Sequence, residues 1–468
     1  MAVHKIESVQ QSLSSPFQPN ILDALFVHTK NSLSGFLQNV IASRTDTDQN
    51  GFAQLIQLQN KPILLVVAST CANVISAAST WCLAHRSLLY HTLRVHIHPQ
   101  FKELNPFYVI NELMQRLYVF DKYKTEPVKS FRDVIVMHPT PHMYAPHYVV
   151  INTMQTMVRQ WIDEPANIAT PMYLAEQFRD NLTPLGVRVA LLGPSDIRKY
   201  GMSLIMAAGQ GSSAPPFVVV AEYNGGGSGP VVAIVGKGVT YDTGGINLKP
   251  SGAMRGMKSD MAGAALAMGT LGAVAQLRLP LNVVVVVGMV ENMIGENATR
   301  PGDVVISMSG KSIEITDTDA EGRLVLADLL WFTGTVLQPT FMLDVATLTG
   351  AIGVALGPHY GGMFSDNMLL TKALMHASLA TQERLWHMPL LPSLQKLKSS
   401  VADYQNHSDR ERAGALFAAT FLRAFVPPEV KGWAHLDLAS MLFDHQENIS
   451  KPYGVKLLLF FLMEFLPS

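Results

Sequence analysis

Continuous apolar runs of strand length recur through the second half of the chain, and apolar stretches of helical length separate them. Strands that are apolar on both faces are typical of a sheet covered by helices on both sides. The pattern therefore predicts an α/β domain with a mixed sheet between two layers of helices. The predicted strands are FVVVAEY (217–223), VVAIVGKGV (231–239), NVVVVVGMV (282–290) and FMLDVATL (341–348), and the predicted helices are MAGAALAMGTLGAVAQL (261–277) and GRLVLADLLWFTGTVL (322–337).

The first part of the chain alternates strand-like and helix-like stretches and has no cluster of acids or histidines at ligand spacing. Residues 1–150 are therefore predicted to form a smaller α/β domain without a catalytic motif. Its predicted strands include ILDALFVHT (21–29), PILLVVAS (62–69) and YVVINT (148–153).

A helical period begins near Gln155 and is interrupted by DEPANIATP (163–171). The two prolines of this segment stop one helix, and Thr170 is suited to cap the next. We place a linker helix region at 151–175 and the larger catalytic domain at 176–468. The total of 468 residues is consistent with two to three domains.

The composition excludes several kinds of partner. Lys and Arg total 35 and Asp and Glu total 36, so a net charge of −1 offers no bulk attraction to nucleic acid or anionic lipid. Only 15% of residues are charged and 48% are apolar, which predicts a large core and some surface hidden in an oligomer. Two cysteines cannot form a disulfide framework, and no CxxC pair is present, so a reducing cytoplasmic setting is expected.

One uncharged stretch, Ile63–Ala84, has enough residues for a helix that crosses a membrane. It contains several serine and threonine residues, and its first part is β-branched while the rest is small and compatible with a helix. This composition favours a buried strand that runs into a packed helix.

Acidic and basic residues cluster where predicted strands end and helices begin. In sheets of this kind ligands bind at the carboxyl ends of the strands. Two of the acids are two positions apart, a spacing that puts both carboxylates on one side of an extended segment. The cluster consists of Lys237, Asp242, Lys249, Asp260, Asp319, Glu321 and Arg323.

Carboxylates do not converge in an apolar crevice unless a cation holds them, because unpaired buried charges are costly. Three Asp and one Glu suit two divalent ions about 3.5–4 Å apart. The alternative is that each acid is solvated or caps a helix: Asp260 could cap the helix at 261–277, and Asp319 and Glu321 could serve the next helix.

Two blocks of sequence resemble the signature blocks of the leucyl aminopeptidase family, the cytosolic hexameric dizinc enzymes. They are VGKGVTYDTGGINLKPSGAMRGMKSDMAGAA (235–265) and DTDAEGRLVLAD (317–328). Shorter likenesses continue from about residue 160 to the carboxyl terminus. The resemblance implies a homohexameric cytoplasmic enzyme that acts on peptides with a free amino terminus, with neither membrane nor nucleic acid as an expected partner.

The resemblance also implies the metal ligands. Asp242 and Glu321 would bridge two divalent ions, Zn²⁺ or Mn²⁺ with Mg²⁺ or Co²⁺ as alternatives. Asp319 would complete the looser site, and Lys237 and Asp260 the tighter one. Lys237 can coordinate only when its amine is unprotonated. A water that bridges the two ions would have its pKa lowered toward about 7 and would supply hydroxide.

Further roles follow from the same likeness. Lys249 would polarise the scissile carbonyl, and Arg323 would hold a bicarbonate with backbone groups near Ala320, Gly322 and Leu348. A side-chain pocket suited to leucine or a similar apolar residue would be formed by Met257, Thr347, Gly350, Ala439 and Leu442. In this sequence Asp317 stands where the family usually has asparagine, and Ala262 where it usually has glycine.

Other functional classes fit less well. SMSGKS (307–312) resembles the end of a phosphate loop, but Val305 stands where that motif needs glycine. The sequence has no GxSxG nucleophile elbow and no HExxH helix. A noncatalytic oligomeric scaffold or a DNA-architectural protein with the same fold is the alternative, and retention of all seven charged residues of the cluster disfavours it.

Overall fold

The computed structural model of the chain describes residues 21–28, 52–58, 61–68, 71–84, 92–97, 106–126, 133–137, 146–408 and 413–465. The chain divides into two compact units, Met1–Thr153 and Met154–Ser468.

The part of the first unit that the structure describes is built around a five-stranded sheet. Its strands are β1 (Ile21–His28), β2 (Phe52–Leu58), β3 (Lys61–Ala68), β4 (Thr92–Ile97) and β5 (Asp133–Met137), and its helices are α1 (Cys71–Ala84), α2 (Pro106–Arg116) and the start of α3 (Pro146–Asp163). The strand order is β2-β3-β1-β4-β5, with β2 antiparallel to β3 and the other neighbours parallel.

The uncharged stretch Ile63–Ala84 forms most of β3 and then α1, as the sequence predicts. Ile75, Ala78 and Cys82 of α1 are buried. Within the described ranges, every helix is too short or too polar to pass through a lipid bilayer.

The prediction of a strand at 148–153 is wrong, because these residues lie inside α3. Val150, Met154 and Val158 recur every four residues and are buried, which is the period of one helical face. Burial of that face outweighs the strand preference of the local β-branched run. The predicted interruption is confirmed: α3 ends at Asp163, and the hydroxyl of Thr170 accepts the backbone N–H of Tyr173 to cap the next helix.

The described residues of the second unit form the larger mixed α/β domain. Its strands are β6 (Arg188–Leu192), β7 (Phe217–Asn224), β8 (Val231–Asp242), β9 (Asn282–Asn292), β10 (Val304–Ile306), β11 (Ser312–Glu314), β12 (Phe341–Ala346), β13 (Gly361–Phe364), β14 (Leu385–Met388), β15 (Tyr404–Gln405), β16 (Gly432–Asp437), β17 (Phe443–Asp444) and β18 (Ile449–Ser450). Its helices are α4 (Pro171–Leu182), α5 (Pro194–Lys199), α6 (Ser203–Gly209), α7 (Ser251–Met254), α8 (Ala262–Gln276), α9 (Gly322–Phe332), α10 (Gly350–Leu356), α11 (Met368–Thr381), α12 (Gly414–Arg423) and α13 (Val455–Phe465).

Eight of these strands form one sheet in the order β14-β13-β16-β12-β8-β9-β7-β6. The four central strands, from β16 to β9, are parallel, and β7 and β13 pair antiparallel on either side of them. The mixed α/β fold predicted from the sequence is confirmed, and all four predicted strands of this half are present.

Helices cover both faces of the central strands. Val235 of β8 and its partner Val286 of β9 lie in one apolar cluster with the buried side of α9. The preceding residue of β8, Ile234, points to the opposite face because strand side chains alternate. That face meets α8, and at Gly236 an added Cβ would come within 2.7 Å of the Ala264 backbone. The absence of a side chain there lets α8 pack closely on the sheet.

A buried carboxylate joins two of the helices. Asp328 of α9 is fully buried and accepts the backbone N–H groups of Leu204 and Ile205 in the first turn of α6, at 2.8 and 3.3 Å. Its other oxygen accepts the N–H of Met308 at 2.8 Å. Burial raises the pKa of Asp328 to about 7, although the three N–H donors favour the ionised form.

Replacement of Asp328 by alanine is expected to lower the free energy of unfolding by about 3 kcal/mol or more, because three buried N–H groups lose their acceptor.

A raised folded-state pKa of Asp328 means that the folded protein binds more protons than the unfolded chain between about pH 4 and pH 7. Wild-type stability should therefore fall across this window as the pH rises, by at most about 1.4 kcal/mol per pH unit from this group. Asp328→Asn should be destabilised but should lose this pH-dependent component. Urea unfolding at several pH values measures both effects, and an Asn variant with the wild-type slope would contradict the assignment.

Candidate metal centre

Four parallel strands end at the same edge of the eight-stranded sheet. Asp242 is the last residue of β8, and Asn292 is the last residue of β9. The loops that follow β12 and β16 begin at Thr347 and Leu438. This is the edge at which ligands bind in parallel α/β sheets.

Three carboxylates meet at this edge. Asp242, Asp319 and Glu321 each place an oxygen within 4.8 Å of the others; Asp242 and Glu321 are buried, and Asp319 is on the solvent side. The segment that carries Asp319 and Glu321 is a turn and not the extended stretch that their spacing suggested. The turn nevertheless points both carboxylates toward Asp242.

The capping alternative is not what the structure shows. Neither α8 nor α9 receives a side-chain hydrogen bond at its first turn. The carboxylate of Asp260 instead accepts the hydroxyl of Thr347 at 2.9 Å and lies 2.7 Å from the amine of Lys237. These acids therefore face one another and the lysines of the site.

Two lysines lie among the acids, and of these Lys237 is buried and Lys249 is half-buried. Lys237 projects from within β8, and its Nζ lies 2.7 Å from Asp260 and 3.1 Å from Glu321. Its side chain passes directly over Gly322, where an added Cβ would come within 2.4 Å of Lys237 Cε. Lys249 Nζ lies 2.7 Å from Asp242 and also pairs with Asp319.

Burial and mutual repulsion shift the pKa values of this cluster. Burial, with the neighbouring charge of Asp242, raises the pKa of Glu321 to about 8 and that of Asp260 to about 6. The pKa of Asp319 is raised for the same two reasons. Burial opposes the charge of Lys237, but Asp260, Glu321 and Asp242 outweigh it and raise the pKa of this amine above its ordinary value. The cluster thus concentrates negative charge that added cations would neutralise.

Arg323 lies behind this cluster at the start of α9. It is buried, and its Nη1 donates to the carbonyl of Asn406 at 2.9 Å, whereas its Nε has no hydrogen-bond partner among the described residues. Ala320 and Gly322 are its buried chain neighbours. The N–H of Leu348 is donated to Asp437 at 3.1 Å, so only the Leu348 carbonyl is left for another ligand.

The two departures from the family pattern leave the cluster intact. Asp317 accepts the backbone N–H of Asp319 at 2.9 Å, a bond that an asparagine oxygen at this position could also accept. Ala262 is a fully buried residue at the start of α8.

Comparison with known proteins identifies the family of this chain. Residues 156–459 match the model of the cytosol aminopeptidase family, catalytic domain. The chain belongs to the cytosol aminopeptidase family. A probable cytosol aminopeptidase of Rickettsia canadensis (strain McKiel) is 43% identical over 362 residues, 74% of this chain and 72% of the relative. The cytosol aminopeptidase of Rickettsia prowazekii (strain Madrid E) is 46% identical over 311 residues, 65% of this chain and 62% of the relative.

A solved structure supports the same conclusion for the fold. The bottromycin maturation enzyme BotP in complex with Mn matches with a TM-score of 0.84 and 29% identity, covering 96% of this chain and 99% of that chain. The resemblance inferred from the two sequence blocks is confirmed. The protein is a metal-dependent aminopeptidase, a hydrolase that acts on peptides.

The cluster of this aminopeptidase opens into a cavity of about 460 Å³. Lys237, Asp242, Lys249, Asp260 and Asp319 line one side of it. Four of the predicted pocket residues line it as well, namely Met257, Thr347, Gly350 and Ala439. Leu442, the fifth, is not brought to the cavity: its side chain is fully buried, because this apolar residue of the loop after β16 packs into the core.

Three residues of the aminopeptidase site carry no sequence signal that would have selected them. Ser440 and His445 line the cavity, where the His445 ring packs against Phe443 with centroids 5.2 Å apart. Asp437 accepts the N–H groups of Leu348 and Thr349 and so fixes the cavity wall. Asp437 is the last residue of β16, Ser440 lies in the loop after it and His445 follows β17, so position at or after a strand end is the one weak indication that they offer.

Proposed function

We propose that this aminopeptidase removes an apolar amino-terminal residue, leucine or a similar one, from peptides with the aid of two divalent cations. The observation that carries the proposal is the meeting of the Asp242, Asp319 and Glu321 carboxylates within 4.8 Å of one another, beside a buried lysine and a half-buried one.

The donor set fits divalent cations. Carboxylate oxygens suit Zn²⁺, Mn²⁺ and Mg²⁺, and the structural relative BotP is described in complex with Mn. We assign Asp242 and Glu321 as the residues shared by both cations and Asp319 to the more exposed site. Asp260 and Lys237 are assigned to the buried site, where the amine must first release its proton. Zn²⁺ and Mn²⁺ are the proposed ions, and Mg²⁺ and Co²⁺ have compatible ligand preferences.

When bound, the two cations supply Lewis acidity and a nucleophilic water whose pKa falls toward about 7. The residues of the chain do the remaining work. Lys249 carries a positive charge into the cavity and donates a hydrogen bond to the oxygen of the scissile carbonyl as negative charge develops there. The free amino terminus of the substrate faces the carboxylates, which limits cleavage to the first peptide bond.

Arg323 is the proposed anchor of a bicarbonate ion. Its buried Nε, which has no hydrogen-bond partner in the part of the chain that the structure describes, is a donor that an anion would satisfy. Backbone groups of Ala320 and Gly322 and the carbonyl of Leu348 are the proposed further contacts. A bicarbonate ion at this position would supply a base near the carboxylate cluster.

The cavity supports the preference for an apolar amino-terminal residue. Met257, Gly350 and Ala439 present uncharged surface to it, and a leucine side chain gains about 1.5–3 kcal/mol when buried. Thr347 is proposed as a further pocket residue, with its hydroxyl held by Asp260.

The decisive experiment removes and restores the metal. Dialysis against a chelator is expected to abolish hydrolysis of leucyl amides, and Mn²⁺ or Zn²⁺ should restore it, while Ca²⁺ at the same concentration serves as the control ion. A panel of amides should show leucine and methionine cleaved faster than aspartate or lysine. Hydrolysis that is indifferent to chelator and metal would refute the metal mechanism, and a flat panel would refute the preference alone.

The proposal also extends to organisation and location. We assign the catalytic groups to the domain at 176–468 and a supporting role to the linker region at 151–175. We assign no catalytic group to residues 1–150. By analogy with relatives named cytosol aminopeptidases, we propose a cytoplasmic location. The resemblance of the two sequence blocks and the low charged fraction of 15% support a homohexamer. Light scattering that gave a monomer would contradict the hexamer.

A further inference from the structure

We propose that Asn292 is a positioning residue of the metal centre, whose side-chain amide holds the carboxylates of Asp242 and Glu321 in the orientation that binds cations. The inference rests on the proposed function, because it assigns a role toward the same two cations.

An irregularity in strand pairing brings Asn292 to this place. Val239 of β8 pairs with Val290 of β9, but Tyr241 pairs with Glu291, so Thr240 is an extra residue in β8. A bulge of this kind shifts the register of everything that follows it. Beyond it Asp242 is paired with Asn292, whereas without it Asp242 would stand beside Met293.

The amide nitrogen of Asn292 faces three oxygen atoms. Its Nδ2 donates to Asp242 Oδ1 at 2.9 Å and to the carbonyl of Thr318 at 3.1 Å, and lies 3.5 Å from Glu321 Oε2. Each of these oxygens is an acceptor, so the nitrogen and not the oxygen of the amide must face them. One buried side chain therefore touches both carboxylates assigned to bridge the cations and the turn that carries Glu321.

These contacts leave the carboxylates free to bind metal on their other sides. Asp242 Oδ1 also accepts the N–H of Gly244 at 2.9 Å, while Oδ2 faces Lys249 and the cavity. Glu321 Oε1 faces Lys237. A neutral donor fixes the acids without adding a positive charge that would compete with the cations, and loss of such a supporting hydrogen bond typically costs 10–100-fold in metal affinity.

The strand supplies a matched control at its other end. Asn282 is the first residue of β9, is equally buried, and donates through Nδ2 to the carbonyls of Gly227 and Gly229 at 3.0 Å each. Asn282→Ala and Asn292→Ala thus remove the same group from the same strand, and only the second group touches the metal ligands.

The experiment titrates full-length, metal-free protein with Mn²⁺ alone and follows free Mn²⁺ by electron paramagnetic resonance. Asn292→Ala is expected to weaken Mn²⁺ binding 10–100-fold, and Asn282→Ala to stay within about twofold of wild type. Thermal unfolding of the metal-free proteins should show similar losses for both variants. If Asn292→Ala does not fold, Asn292→Ser, which keeps a shorter donor, is expected to weaken binding at least about tenfold.

The outcomes separate the two proposals. Wild-type protein that binds no Mn²⁺ overturns the proposed function itself. Wild-type protein that binds Mn²⁺ while a folded Asn292 variant binds it equally well overturns only the positioning role. Equal weakening in the Asn282 and Asn292 variants also overturns it, because the loss would then follow from general destabilisation.

Discussion

Replacement of Glu321 by alanine is expected to abolish stoichiometric binding of two metals and to lower turnover at least about 10³-fold, which corresponds to about 4 kcal/mol of transition-state stabilisation. Glu321 is 2% exposed, and its two oxygens face Lys237 and Asn292. Among the described residues its acidic neighbours Asp242, Asp260 and Asp319 are themselves assigned as ligands, so none of them is free to take its place. Metal content by atomic absorption and hydrolysis of leucyl amide give the two readouts.

The control for this variant is Glu314→Ala. Glu314 lies on β11, accepts a hydrogen bond from Ser399 and does not line the cavity. It should keep wild-type metal content and turnover. A Glu321→Ala enzyme that remains active and carries two metals would remove Glu321 from the bridging assignment, while loss of turnover with full metal content would mean that the side chain acts on the reaction and not on the metal.

The Lys249→Ala enzyme is expected to keep its metals and to lose turnover by about 10² or more, because one preorganised donor to a developing oxyanion contributes about 3 kcal/mol. In the structure Lys249 pairs with Asp242 and Asp319, and these two acids raise the pKa of its amine although burial opposes the charge. Removal of this positive charge leaves the acids more negative. Mn²⁺ affinity should therefore be unchanged or higher, which separates this variant from Glu321→Ala.

Lys372→Ala is the matched control, since Lys372 is exposed on α11 and does not line the cavity. Steady-state kinetics should show the loss at Lys249 in kcat as well as in kcat/KM, because the interaction belongs to the transition state. Retained turnover in Lys249→Ala would exclude this lysine from the mechanism. Metal loss in the same variant would instead make it a structural partner of the acids.

Much of the second unit follows from the sequence alone. Runs such as 231–236 and 283–290 contain no polar side chain, and a fully buried central strand is the structure that suits such a run. Asp242, Asp319 and Glu321 are identifiable because they stand in two compact blocks that resemble a known family. Local pattern was sufficient wherever a residue's environment is set by its own neighbours in the chain.

Local pattern fails where distant segments decide the outcome. The run at 148–153 has the composition of a strand, but it is part of α3, and the buried residues of this helix recur at helical spacing. The family resemblance assigns Leu442 to the pocket, and with its side chain fully buried that assignment stays a prediction. At 148–153 the burial of apolar surface against other segments outweighs the local preference for a strand.

The sequence by itself determined the fold class, the family and the acids and lysines that could hold metal. Tertiary structure alone decided which neutral groups support them. Asn292 lies fifty positions after Asp242 and touches it because one extra residue in β8 shifts the strand register. A single chain's pattern records which residues prefer to be buried, but the contact between two strands depends on a register that is fixed when the whole sheet packs.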